Sequence, residues 1–221
     1  MLDRKIRYLQ IAFNSDLGLV EEILPQIEEN ERVIIEAGTP FIKKEGIRGI
    51  KRISQLWNGK IVADLKTADG ALGEVEFAYE AGANAATVLG SAPIETINLF
   101  IKKCKELDMD SMIDMIGVEE PLKVLRQLKM LPTVVILHKG RDEESTRGKM
   151  IRYRHINRIR SKYNVLISAA GGVDLKEARS AIFNGANIVV VNIVSEEDPW
   201  TGIRKEEDII EMSQKFLKTI E

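Results

Sequence analysis

The chain has 221 residues, 44% of them hydrophobic and 30% charged, with 32 Lys+Arg against 34 Asp+Glu. That length builds a core without disulfides or a structural metal, and the single cysteine, Cys104, excludes an internal bridge and a Cys-based zinc site. A net charge of -2 excludes a broadly basic polyanion binder, and no apolar run approaches the roughly 20 residues that span a bilayer, so a cytoplasmic protein without membrane contact is expected.

Short β-branched runs alternate with helical patterns along the chain. Strand Tyr8–Phe13 precedes a helix over Glu21–Glu29, Arg32–Glu36 precedes Gly46–Trp57, Lys60–Asp64 precedes Leu72–Ala81, and Ala85–Leu89 precedes Ile94–Leu107. Ser111–Asp114 then leads to Glu119–Lys129, Thr133–Leu137 to Tyr153–Lys162, Val165–Ser168 to Leu175–Phe183, and Ile188–Val191 to Glu206–Ile220. The runs VIIEA, IVADL, TVVIL and NIVVV are apolar throughout, as parallel strands covered on both faces are. Eight βα units of about 27 residues each fit a single-domain (β/α)8 TIM barrel over residues 1–221. Two echoes support the repeat: Glu80-Ala-Gly-Ala-Asn84 before the fourth strand and Asn184-Gly-Ala-Asn187 before the eighth place a glycine where a helix ends. An open doubly wound sheet is the alternative, but Asn14-Ser-Asp-Leu-Gly18 after the first strand lacks its Gly-rich fingerprint.

A barrel carries its chemistry at the C-terminal ends of its strands. The polar residues there are Asn14, Glu36, Asp64 with Lys66 and Asp69, Gly90-Ser91, Asp114, His138 with Arg141, Gly171-Gly172, and Asn192. Glu36 and Asp64 end neighbouring apolar strands, where they either hold a hard cation such as Mg2+ or cap helices and form ion pairs. Lys66 stands between Asp64 and Asp69, which keep it protonated and able to stabilise an anion or deliver a proton. His138 is one of two histidines and suits general acid/base work. Gly171 and Gly172 allow backbone N–H groups to approach a phosphate, with a helix N-terminus near Asp174 adding partial charge. Arg147–Lys162 is heavily basic and reads as a solvated helix face or as a local contact for nucleic acid or an acidic partner.

Six motifs occur in one order: Leu9-Gln-Ile-Ala12, Glu36-Ala-Gly-Thr-Pro40, Ala63-Asp-Leu-Lys-Thr-Ala-Asp69, Thr87-Val-Leu-Gly90, His138-Lys-Gly-Arg-Asp142 and Ala170-Gly-Gly172. Together they resemble the orotidine monophosphate decarboxylase suprafamily, specifically its 3-hexulose-6-phosphate synthase branch. The resemblance implies a dimer of barrels with shared active sites and a Mg2+-dependent aldolase that joins formaldehyde to ribulose 5-phosphate or cleaves the hexulose 6-phosphate. The related 3-keto-L-gulonate-6-phosphate decarboxylase is the alternative, and a non-catalytic sugar-phosphate- or nucleic-acid-binding barrel is a third. By this resemblance Glu36 and Asp64 hold Mg2+, Lys66 supports an enediolate, Asp69 reaches the partner subunit's site and His138 moves protons. Gly171, Gly172 and the Asn192–Ile193 backbone hold the phosphate. Three positions depart from the pattern. Asn14 replaces a usual aspartate, Arg141 stands where synthases carry an apolar residue and decarboxylases an arginine, and Asn192-Ile193 replaces a glycine-arginine pair.

Overall fold

The computed structural model describes residues 1–147 and 151–221. The eight apolar runs form β1 (Tyr8–Phe13), β2 (Val33–Ala37), β3 (Lys60–Thr67), β4 (Ala85–Leu89), β5 (Asp110–Asp114), β6 (Val134–His138), β7 (Leu166–Ala170) and β8 (Ile188–Val194). Each pairs in parallel with the next, and β1 also pairs with β8, with Tyr8 opposite Ile188, so the sheet closes on itself. That closure removes both sheet edges and excludes the open doubly wound alternative.

Helices cover the outside: α1 (Leu17–Ile23), α2 (Thr39–Leu56), α3 (Ala71–Glu80), α4 (Ile94–Glu106), α5 (Pro121–Leu125), α6 (Arg141–Arg147), α7 (Arg154–Arg160) and α8 (Leu175–Phe183). A two-residue strand, β9 (Ile203–Arg204), lies beside β8 before the last helix, α9 (Ile209–Thr219). Period-two alternation divides the apolar residues into two cores. Leu9, Ile11 and Phe13 point outward to the helices, whereas Tyr8, Ala12, Ile34, Val62, Met112, Val134 and Ile188 fill the barrel interior. The repeated αβ joint is the same twice over. Gly82 and Gly185 have φ of 95° and 97°, and the Asn84 and Asn187 side chains accept the N–H of Ile61 and Ile167 at 2.8 and 3.0 Å.

Several helix bounds differ from expectation for identifiable reasons. α1 starts earlier because Asp16 caps it, accepting the Leu19 N–H at 3.1 Å, and ends where Pro25 enters a 3-10 turn over Leu24–Gln26. α2 starts at Thr39 with Pro40 in its first turn, and Gly46, at φ 64° and ψ -157°, breaks its regularity. α5 stops well before Lys129, whose N–H donates to the Asn98 side chain at 2.8 Å instead. The basic segment Arg147–Lys162 is not one helix: it touches α6 and α7, and residues 148–150 lie outside the described residues.

Candidate active site

The alternation that fills the barrel also builds the site. Along most strands the inward positions are apolar low in the barrel and polar at the C-terminal end, Asp110 at the foot of β5 and Ala170 at the end of β7 excepted, so Gln10, Glu36, Asp64, Thr87, Asp114, His138 and Asn192 face one cavity of about 310 Å3. Asn14, Thr39, Lys43, Lys66, Arg141, Gly171, Gly172 and Trp200 complete its wall.

Lys66 arrives by an irregularity of β3 and not by simple alternation along the strand. Between Ala63 and Thr67 the β3–β4 register slips, and Lys66 has φ 47°, a left-handed conformation that costs a non-glycine residue about 1 kcal/mol or more. Its N–H donates to Thr87 Oγ1 at 2.9 Å, and its ammonium turns inward between two carboxylates. Nζ lies 2.9 Å from Asp64 Oδ2 and 2.6 Å from Asp114 Oδ2. His138 Nδ1 meets the same Asp114 oxygen at 2.8 Å, while Asp114 Oδ1 accepts the Ile116 N–H at 2.9 Å. Asp64 is held in turn by the hydroxyls of Thr39 and Thr87, at 2.7 and 2.8 Å.

This network fixes protonation. Burial works against the Lys66 ammonium, but Asp64 and Asp114 outweigh it and hold its pKa above the ordinary lysine range. Burial likewise disfavours the Asp114 carboxylate, yet His138 and Lys66 hold it well below the usual range. Burial lowers the His138 pKa, and Asp114 more than reverses this, leaving it raised. The cluster therefore presents a permanent ammonium beside a histidine whose Nε2 is not engaged by Asp114.

Glu36 is the exception. It is 8% exposed, and burial together with the Asp64 charge pushes its pKa up to about 7. Gln10 donates to it through Nε2, while the buried Oε1 of Gln10 has no hydrogen-bond partner. A carboxylate reluctant to ionise beside a second carboxylate, with an amide oxygen left over, fits an oxygen-liganded cation. Among the described residues no group of three or more His, Cys, Asp or Glu gathers as a metal cage. Two carboxylates suit Mg2+, which keeps water and substrate oxygens as its remaining ligands, better than zinc.

The opposite side of the cavity, at the ends of β6, β7 and β8, has different chemistry. Gly171 and Gly172, at φ 103° and 60°, turn the chain away from β7, and a Cβ on Gly171 would stand 2.0 Å from the Lys139 carbonyl oxygen. Arg141 opens α6 there, with its guanidinium 5.2 Å from the centre of the Trp200 ring. Asn14 donates to the Asn192 side chain at 2.9 Å, so two departures from the family pattern partner each other across the β1–β8 seam. Acids and a cation thus face a glycine turn and an arginine across one sugar-sized space.

Of the residues expected from sequence, Glu36, Asp64, Lys66, His138, Asn14, Arg141, Gly171, Gly172 and Asn192 line this cavity. Asp69 does not: it is exposed on the loop before α3. Ile193 is buried beside β9 and lines an adjoining cavity instead. His155, in the basic segment, is buried on α7, outside the central site. Sequence reasoning gave Asp114 no role although it is the hub of the network; its place at the end of an apolar strand was the available signal. Thr87 stands in the motif Thr87-Val-Leu-Gly90 but the sequence assigns it no role, and Gly90-Ser91, the polar pair read there, lie beyond the end of β4. Trp200 carried no signal, because nothing in the sequence tells that its loop folds back over β8.

A closed (β/α)8 barrel with a charged network at its strand ends defines the class of protein. The model for the orotidine 5'-phosphate decarboxylase / HUMPS family matches residues 7–205, and the chain belongs to that family. It is 35% identical over 215 residues to the bifunctional enzyme Fae/Hps of Methanothrix thermoacetophila, a match that covers 96% of this chain and 52% of that protein. The chain thus spans about half the length of the curated relatives that it matches. Among solved structures, 3-hexulose-6-phosphate synthase from Salmonella typhimurium shares the fold, with a TM-score of 0.80 at 24% identity over 96% of this chain and 98% of that one. A second 3-hexulose-6-phosphate synthase structure has a TM-score of 0.76 at 26% identity, covering 97% of this chain and all of the other.

Proposed function

We propose that the protein is a carbon–carbon lyase of the 3-hexulose-6-phosphate synthase type, which joins formaldehyde to ribulose 5-phosphate or reverses that reaction. The observation that carries this reading is the Lys66 ammonium held between Asp64 and Asp114 with His138 on the same Asp114 oxygen, facing Arg141 and the Gly171–Gly172 turn across the cavity. The similarity to Fae/Hps and synthase proteins supports it.

In the synthetic direction C1 of the ketose loses a proton, and the resulting enediolate carbon attacks formaldehyde, whose oxygen takes a proton to become the new hydroxyl. Bound Mg2+, held by Glu36 and Asp64, would supply Lewis acidity toward the substrate oxygens. Lys66 stabilises developing negative charge on the substrate from a site already ordered before reaction, so little reorganisation is needed. His138 exchanges the proton, with Asp114 fixing its ring through Nδ1. Gly171, Gly172, Asn192 and Arg141 hold the phosphate, and the backbone after Asn192 borders it; that remote binding energy orients the reacting carbon.

A second copy of the chain completes the site in this reading. Asp69 is exposed at the start of the segment leading to α3, on which Leu72 and Tyr79 are 47% and 49% exposed, a surface suited to a homodimer that presents Asp69 to its partner. The buried free thiol of Cys104 supports a cytoplasmic setting, and among the described residues no helix is long and apolar enough to cross a membrane.

The experiment mixes purified protein, ribulose 5-phosphate, formaldehyde and Mg2+ and follows formaldehyde loss, with EDTA as control. EDTA-sensitive consumption is expected. No consumption, together with carbon dioxide release from 3-keto-L-gulonate 6-phosphate, would replace this reading with the decarboxylase, which the presence of Arg141 in the cavity favours.

A further inference from the structure

We propose that Trp200 is a positioning residue that holds the Arg141 guanidinium at the phosphate end of the cavity, and that this pair replaces the cation missing after β8. The inference rests on the sugar-phosphate reading above. Neither residue at the end of β8 supplies positive charge: Asn192 is bonded to Asn14, and the Ile193 side chain is buried. Arg141 is the arginine that shares the cavity wall with Gly171 and Gly172, and among the described residues no carboxylate pairs with it.

What holds Arg141 is the ring of Trp200, at a distance where a guanidinium and an aromatic face attract. The loop carrying Trp200 is fastened on both sides. Asp198 Oδ2 accepts the Ser195 N–H and hydroxyl at 2.7 and 3.0 Å. Arg204 donates to the Ser195 carbonyl at 2.8 Å, and Lys205 N–H donates to the Val194 carbonyl at 2.8 Å. Gly202 packs so closely on β8 that a Cβ there would lie 2.2 Å from the Asn192 carbonyl oxygen. A tethered loop of this kind places an indole with little entropy left to lose.

The position of the pair explains why such a hold matters. Arg141 and Trp200 both line a second cavity of about 480 Å3, whose wall includes Asp16, Glu22 and Asp198. An unheld arginine at this boundary borders Glu22, Asp16, which already pairs with Lys44 at 3.0 Å, and Asp198, which already accepts from Ser195. Stacking on Trp200 keeps the guanidinium shared with the central cavity, where a dianionic phosphate makes a better partner than any of them.

Calorimetric binding of ribulose 5-phosphate and of inorganic phosphate, without formaldehyde, tests this on the full chain. Trp200→Ala weakens both ligands about tenfold, the size expected from losing one cation–π contact, and Trp200→Phe recovers most of the loss. Trp200→Ala in an Arg141→Ala background adds no further loss, because the tryptophan acts through the arginine. Binding by Trp200→Ala within twofold of wild type, or a double variant whose losses add, overturns the proposal. So does a wild-type protein that binds neither ligand. If Trp200→Ala does not fold, Trp200→Phe and Trp200→Leu are compared, and equal affinities count against it. Binding that follows this pattern in a protein that consumes no formaldehyde would sink the aldolase reading and leave the positioning role standing.

Discussion

The ammonium of Lys66 stands 2.6 Å from Oδ2 of Asp114, and that one oxygen also meets Nδ1 of His138 at 2.8 Å. A single buried carboxylate therefore orients both groups, to which the proposed reaction assigns charge stabilisation and proton transfer. Asp114→Asn keeps the shape and removes the charge. The expected result is a fall in kcat of about 100-fold or more with the fold retained by circular dichroism, and a His138 pKa, read by NMR, that drops from its raised value. A His138 pKa that does not move would separate the two residues functionally.

Glu36 and the Asp114 pair give stability a pH dependence of definite sign. The Glu36 pKa rises from about 4.5 to about 7 on folding, so the native state binds more protons across that window and loses stability as pH rises through it, by at most about 3 kcal/mol. His138, also raised, contributes stability below its ordinary pKa that is lost as pH rises through the folded value. Asp114 is depressed; its contribution is present above the ordinary carboxylate pKa and disappears only toward strong acid. Urea midpoints without divalent cations should fall from pH 5 to pH 8, and Glu36→Gln should flatten that slope.

The same repulsion predicts what Mg2+ does. A cation bound between Glu36 and Asp64 favours the ionised form of Glu36, so Mg2+ should raise Tm more at pH 8 than at pH 5. The gain should vanish in Glu36→Gln. An equal Tm shift in that variant would place the ion elsewhere.

How much of this was legible in sequence follows from which physics each residue obeys. The barrel was readable because eight apolar runs at even spacing leave a parallel closed sheet as the economical solution. Glu36, Asp64 and His138 were readable because an acid or a histidine ending such a run costs energy unless it has a task or a partner. Asp114 met the same criterion, but its worth lies in two contacts made by residues 24 and 48 positions away, which no local pattern announces. Lys66 reached its place through a strand irregularity and a left-handed φ, where alternation gives the right face for the wrong reason. β9 and Trp200 were invisible because a two-residue strand has no periodicity to detect.

Asn14 Nδ2 donates one hydrogen bond to Asn192 Oδ1 at 2.9 Å, at two of the positions that depart from the pattern the sequence resembles. That contact joins two neutral amides and leaves the Asn192 amide nitrogen available to the cavity. A double-mutant cycle of Asn14→Ala and Asn192→Ala should give a coupling of about 1 kcal/mol in unfolding free energy. Asn14→Asp alone should cost less, because an Asn192 amide turned over can still donate to the new carboxylate.

Gly171 and Gly70 provide a matched pair for the glycine turn. Both have positive φ, 103° and 67°, so an alanine at either strains the backbone by about 1 kcal/mol. At Gly70 a new Cβ meets nothing within 4 Å, whereas at Gly171 it would lie 2.0 Å from the Lys139 carbonyl oxygen. That oxygen belongs to the short connection between His138 and Arg141, which is also fastened to β7 by the Lys139 N–H on the Ala170 carbonyl at 3.0 Å. Relieving the clash means moving the connection, and with it Arg141, which the proposed function places on the phosphate. Gly171→Ala should therefore lose roughly 2 kcal/mol more stability than Gly70→Ala in urea unfolding. It should also weaken ribulose 5-phosphate binding, while Gly70→Ala leaves the affinity near that of the wild type.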